Sequence, residues 1–208
     1  MIFDRSKEAE MMQDSKDVKL KILDGAKVLF AQKGFEGTTV RQICDQAGVA
    51  LALVSYHFGG KENVLLALYD TFAPQFLQEP FVLSDPEQDL RRFITEFVRF
   101  RREEPELINI LQQEIMMQSP RAEKLQKCVF ALWMPLREIL ISGKEQGQFE
   151  YESLRHTLNF IVGTLIFSRV HSFFDPVFVQ DDIKDKDELE EVVEHTLRFI
   201  FKGLQAAH

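Results

Sequence analysis

Apolar residues recur three and four positions apart along almost the whole chain, without the strict alternation of a half-buried strand. That spacing gathers them on one side of a 3.6-residue helix, so the chain is expected to be all-α. Ile22, Ala26, Leu29 and Phe30 form the first stripe, in a helix expected from Val18 to Lys33. Gly34 follows, free to take a left-handed cap, with Phe35 folding back onto the last turn. Val40, Ile43, Cys44 and Ala47 form a second, short stripe. It opens on Thr39-Val-Arg-Gln42, which has the hydroxyl-to-amide spacing of a capping box, and it breaks at Gly48. A third short helix is expected from about Ala50 to Phe58. Gly59-Gly60 separates it from a fourth, marked by Val64, Leu65, Leu68 and Phe72.

Beyond Pro80 the pattern stays helical. Asp85-Pro86 is a start signal for a stripe of Leu90, Ile94, Phe97 and Val98. Pro105 opens another helix, through about Met117. Leu125, Cys128, Val129, Leu132, Trp133, Leu136 and Leu140 mark a long one, expected to kink at Pro135 and to end near Gly147. Leu154, Leu158, Ile161, Val162 and Leu165 mark the next, and Leu189 to Leu204 the last, about nine helices in all. The segment between those two, with Asp175-Pro176 and the acidic run Asp181 to Asp187, reads as a loop. Residues 1–15 are polar without a sustained period and read as a mobile arm, followed by a small domain over 16–62 and a larger one over 63–208.

The net charge of −8 does not announce a polyanion-binding protein. By region the picture changes: Lys/Arg and Asp/Glu balance over residues 1–62, and the whole deficit falls on the rest. Only the N-terminal third can then approach nucleic acid, through local positive groups. Two cysteines make no disulfide framework; Cys44 reads as a small buried hydrophobe, and a redox switch at Cys44 or Cys128 is the lesser reading. The charged start carries no secretory signal and FIVGTLIF is too short to span a bilayer, so a cytoplasmic setting without membrane attachment is expected. Metal-ligand spacing, a phosphate loop and a nucleophile motif are all missing, so neither metal, cofactor nor catalysis is expected.

Two short helices joined by a tight glycine turn, packed on a longer first helix, make a helix-turn-helix. The second is the one that enters a major groove. Val49, Val54 and Phe58 are expected to point inward, leaving Ala50, Leu51, Ala52, Ser55 and Tyr56 outward. Small side chains let such a helix sit deep, and an exposed Leu or Ala can touch a thymine methyl. Thr39 at a helix N-terminus, Tyr56 and His57 at the far end of the recognition helix, and Lys61 just beyond it suit phosphates. Arg41 is the long basic side chain near the groove entrance.

The pieces FAQKGFEGTTVRQICDQAGVA and YHFGGKENVLLAL resemble the DNA-binding domain of the TetR family of repressors. The resemblance covers about Lys21 to Leu66; its most specific part is the aromatic-His-Phe followed by two small residues, Lys and Glu. It implies a repressor of nine or ten helices, a homodimer on double-stranded DNA, and a C-terminal domain that takes a small ligand. The family's phosphate contacts fall on Thr39, Tyr56, His57 and Lys61, and its base-reading positions on Arg41, Ala50, Leu51, Ala52 and Ser55. Many members carry Lys, Gly and Thr where this chain has Leu51, Ala52 and Leu53, and Tyr where it has Ser55. Direct hydrogen-bond readout is therefore poor, which shifts weight to DNA shape.

In the C-terminal part, Phe72, Phe97, Phe100, Trp133, Asn159 and Phe167 are candidate contacts for an apolar or amphipathic effector. Phe76 is a further aromatic candidate, and His156, Arg169 and His171 are polar ones. Spacing does not separate a cavity lining from plain core. The last two long helices carry broad apolar faces and are expected to pair with their copies in a four-helix interface. An alternative is a structural or division-linked DNA-binding factor with no inducer.

Overall fold

The computed structural model describes residues 5–74, 76, 82–168 and 188–204. Among them are nine helices and no strand: α1 (Arg5–Lys33), α2 (Val40–Ala47), α3 (Ala52–Phe58), α4 (Lys61–Phe72), α5 (Pro86–Glu103), α6 (Pro105–Met116), α7 (Ala122–Glu145), α8 (Leu154–Phe167) and α9 (Leu189–Gly203). The expected loop around Asp175-Pro176 and Asp181 to Asp187, and the candidates Arg169 and His171, lie outside the described residues.

The chain divides into two compact units, the first holding the residues up to Ala73 with Glu106–Cys128, the second Pro74–Pro105 with the residues from Val129 on. Helix α4, expected to open the larger domain, thus groups with the first unit.

In the first unit the α1 stripe is buried as its spacing requires, with Ile22, Ala26, Leu29 and Phe30 all out of solvent. Gly34 takes φ 71° and donates its N–H to the Phe30 carbonyl at 2.9 Å, and Phe35 stacks on Phe30 at 5.5 Å. One expectation fails at the other end: α1 starts at Arg5, not Val18. An apolar stripe is not required there, because Lys, Glu, Met and Gln are good helix formers and i,i+4 pairs such as Gln13 to Asp17, at 2.8 Å, support an all-polar turn. Residues 5–15 therefore belong to the helix rather than to an irregular arm.

The segment 106–128 closes over this unit through hydrogen bonds as well as apolar contact. Gln113 donates to the Ala31 carbonyl at 2.9 Å, and the buried Tyr69 hydroxyl donates to the Leu107 carbonyl at 3.1 Å. Burial, with Glu114 nearby, pushes that hydroxyl far above its usual pKa, so it stays a neutral donor. Thr38, buried beside the more conspicuous Thr39, donates to the Leu29 and Gly34 carbonyls at 3.2 and 2.8 Å and ties the end of α1 to the start of α2.

The second unit is built on α5, whose Phe93, Ile94, Phe97 and Val98 are buried. Asp85 caps it, accepting from the Gln88 N–H at 2.9 Å, as the Asp-Pro signal requires. Helix α7 carries Pro135 inside its span, and Ser153 caps α8. Arg101, buried on α5, donates to the Leu165 carbonyl at 2.9 Å and to the Ser168 hydroxyl. Its cation sits at the negative end of the α8 dipole. At the end of α7, Gly143 lies flat under Phe149; a Cβ there would stand 2.1 Å from the ring, so no larger residue fits without moving it.

Candidate nucleic-acid interface

Thr39 begins α2 in an extended conformation with a complete capping box. Its hydroxyl accepts from the Gln42 N–H at 3.2 Å, and the Gln42 side chain accepts from the Thr39 N–H at 2.9 Å. Ile43 and Cys44 face inward, Arg41 outward. Gly48 stops α2 at φ 66°, and the Val49 N–H closes onto the Cys44 carbonyl at 3.0 Å. A left-handed residue at this corner turns the chain sharply enough to start α3 four residues later.

Helix α3 begins at Ala52, two residues after the expected start. Ala50 and Leu51 therefore sit in the turn and at the helix entry rather than within the helix. Val54 is fully buried and anchors α3; Val49 and Phe58 are half-buried. The outward set is as the spacing requires: Ala50, Leu51, Ala52, Ser55 and Tyr56 are exposed, with Leu51 at 54% and Tyr56 at 80%. His57 is half-buried, its ring edge-on to Tyr56 at 4.9 Å. Gly59, at φ 74°, and the Asn63 amide, which donates to the Phe58 carbonyl at 2.6 Å, close the C-terminal end.

Lys61 differs from the expected point charge. Its ammonium donates to the Phe35 and Thr38 carbonyls at 2.7 and 2.8 Å and lies 4.0 Å from the Phe35 ring centroid. Burial, with Arg121 nearby, lowers its pKa against the opposing pull of Glu36. Two of its three donors are thus committed to holding the α1–α2 turn against the start of α4. Sequence spacing missed this because the carbonyls it meets lie 26 and 23 residues away.

A second support was invisible in the local pattern. Arg121 stacks its guanidinium 3.8 Å from the Phe35 centroid, pairs with Glu36 at 2.8 Å, and grips the buried Glu114 through two hydrogen bonds of 3.2 Å. Ser119 donates to the same carboxylate, and Lys124 pairs with Glu62. The turn that presents Thr39 is therefore braced by residues from about 85 positions downstream.

Burial pushes the Cys44 and Cys128 thiols up, with Asp45 and Asp70 adding to it, so neither is poised as a nucleophile. Among the described residues no group of three His, Cys, Asp or Glu gathers as a metal site, and no helix is long and apolar enough to cross a membrane.

The effector candidates are not brought together as one set. Phe97 and Trp133 meet at 4.9 Å and Phe97 and Phe100 at 6.0 Å, joined by Phe93 and, through it, Phe76. Phe93, four residues before Phe97, belongs to this network although it was absent from the sequence expectation. Phe72 lies in the first unit with the Lys27 ammonium 3.9 Å from its centroid. Asn159 and His156 are exposed on α8, and Phe167 is partly exposed at its end. They fall off the aromatic network because α8 turns Ile161 and Leu165 inward instead.

A slender, uncharged helix held outward after a glycine turn, with hydroxyl groups on either side, defines a helix-turn-helix DNA-binding regulator. Residues 22–68 match the family described as bacterial regulatory proteins, tetR family. Over 190 residues it is 26% identical to the HTH-type transcriptional repressor NicS of Pseudomonas putida, covering 88% of this chain and 87% of that protein. The crystal structure of HlyIIR, a hemolysin II transcriptional regulator, is 27% identical and superposes with a TM-score of 0.68, covering 87% of this chain and 97% of the other. FadR of Bacillus subtilis, solved in complex with stearoyl-CoA, shares the fold at 21% identity, a TM-score of 0.67, and coverage of 89% and 99%.

Proposed function

We propose that the chain is a cytoplasmic repressor that binds a pseudo-palindromic operator as a homodimer and leaves it when a small, largely apolar effector binds. The observation that carries the DNA-binding part is the outward face of α3. A tyrosine 80% exposed beside exposed Ala and Leu side chains is an unusual surface for a helix with no partner, and it suits a groove. Thr39, Tyr56 and His57 take phosphate oxygens at its margins; Arg41 reaches a base edge or a phosphate. Lys61 contributes chiefly by bracing, with one donor left for a phosphate.

The pairing surface lies on α8 and α9. Phe160 and Phe199 are 74% and 68% exposed, and neither helix needs them for its own packing. Gly163 on α8 and Gly203 on α9 have open space where a Cβ would stand, which leaves room for close approach of another helix. Pairing doubles the DNA footprint and sets the recognition helices about 34–36 Å apart, or a multiple of it. For the effector, the aromatic network of Phe76, Phe93, Phe97, Phe100 and Trp133 supplies an apolar lining once side chains part. Linkage then requires that an effector preferring wrongly spaced heads weaken DNA binding by the same factor that DNA weakens effector binding.

Selection of bound fragments from random duplex DNA, repeated with a panel of lipophilic compounds, tests the whole reading. A two-fold symmetric consensus, a steep salt dependence and release by one compound class are the expected results. Failure to enrich any sequence sinks it. Within the site, Thr39→Ala should lower stability by about 1 kcal/mol through loss of the cap. It should also weaken specific and non-specific DNA by a similar factor, while Thr39→Ser retains both. Unfolding in urea and fluorescence-anisotropy titrations separate the two effects; unchanged affinity for both DNAs would remove Thr39 from the phosphate set.

A further inference from the structure

We infer that this protein reads its operator hydrophobically, through the Leu51 side chain seated against a thymine C5-methyl group in each half-site. The inference rests on the DNA-binding reading above and says what the recognition helix recognises.

Leu51 stands at the entry to α3, already in helical conformation at φ −54° and ψ −36°, and makes no side-chain capping bond. Its side chain supplies nothing to the open N–H groups of the helix start, so capping does not account for it. Nor does the core, because Leu51 is more than half exposed while Val54 beside it is fully buried. Its neighbours Ala50 and Ala52 are also exposed and are too short to keep the backbone off a surface. The leading edge of α3 is thus a Leu flanked by two Ala, continuous with the exposed Ser55 and Tyr56 of the same interface.

A leucine neither donates nor accepts a hydrogen bond. Of the groups that base pairs display in the major groove, the thymine methyl is the one it can prefer. Guanine N7 and O6, and the cytosine amino group, would be stripped of water with nothing in return. The edge therefore selects T·A or A·T at its contact and excludes G·C and C·G there. Ser55 accepts any base and adds little discrimination. Arg41 lies on α2 and is not part of this edge.

The test uses the operator found by selection and the full-length protein. Each half-site thymine is replaced by deoxyuridine, which removes one methyl group and leaves the base-pair edges otherwise intact. Affinity is measured at fixed salt for the wild type and for Leu51→Ala, whose exposed position leaves the fold intact by circular dichroism. One thymine per half-site should stand out. Its replacement should weaken wild-type binding about fourfold, and about fifteenfold when made in both half-sites, from the transfer free energy of one methyl each. Leu51→Ala should bind the thymine operator more weakly and respond to the same replacement by less than twofold.

Three results overturn the inference while leaving the DNA-binding reading intact: an operator whose half-sites lack thymine, wild-type affinity that stays within twofold at every replacement, or a Leu51→Ala variant that keeps full methyl sensitivity. Failure to select any operator overturns both readings together, and so is distinguishable from these.

Discussion

Arg121→Met is expected to destabilise the chain by about 3–5 kcal/mol, the cost of leaving one partner of a buried ion pair alone. Glu114 is buried, and its carboxylate is held by Arg121 and by the Ser119 hydroxyl. Methionine fills most of the space that Arg121 occupies and can still lie against Phe35, so the loss isolates the charge rather than the volume. Glu114→Gln should cost less, because an amide oxygen still accepts from Arg121. The paired replacement Arg121→Met with Glu114→Leu should recover much of the loss, since it removes both charges. Urea unfolding of the wild type, Arg121→Met, Glu114→Leu and the pair closes the cycle, with Glu114→Gln measured beside it. An Arg121→Met variant within about 1 kcal/mol of wild type would show that the cluster is solvated and unimportant. DNA binding should weaken alongside stability, because Phe35 and Glu36 belong to the turn that presents Thr39.

Phe160→Glu combined with Phe199→Glu should convert the protein to a folded monomer and reduce operator binding to its non-specific level, a loss of at least 10³-fold. Two copies of each ring in a symmetric interface bury four phenylalanines, worth on the order of 6–12 kcal/mol before the entropic cost of association. Carboxylates in their place remove that gain and add like-charge repulsion. Both positions are highly exposed in the single chain, so folding is spared. Analytical ultracentrifugation gives the mass and circular dichroism the helix content. A dimer that persists at micromolar concentration would move the pairing surface elsewhere.

Several features of this chain were legible residue by residue. The Ile22–Phe30 stripe, the Gly34 cap with Phe35 folded back, the Thr39–Gln42 box and the Gly48 break each depend on atoms within about four residues, and all stand as their spacing requires. The outward face of α3 follows from one buried anchor, Val54, and helical geometry. Helix starts were harder. The first turns of α1 carry no sustained apolar period, and nothing local tells whether Ala50 and Leu51 continue the turn or begin the helix.

By itself, then, the amino-acid order determined the helical class, the helix-turn-helix and the set of side chains that it turns outward, because short-range sterics and hydrogen bonds decide these. Only the tertiary structure decided that Lys61 spends its ammonium on two carbonyls, and that Arg121 braces a turn from about 85 residues away. It also decided that Asn159 faces water while Phe93 joins the aromatic network. The physical reason is common to all of these: a charge or a ring takes its role from whatever packing brings within a few ångströms, and periodicity gives a side chain's direction but not its neighbour.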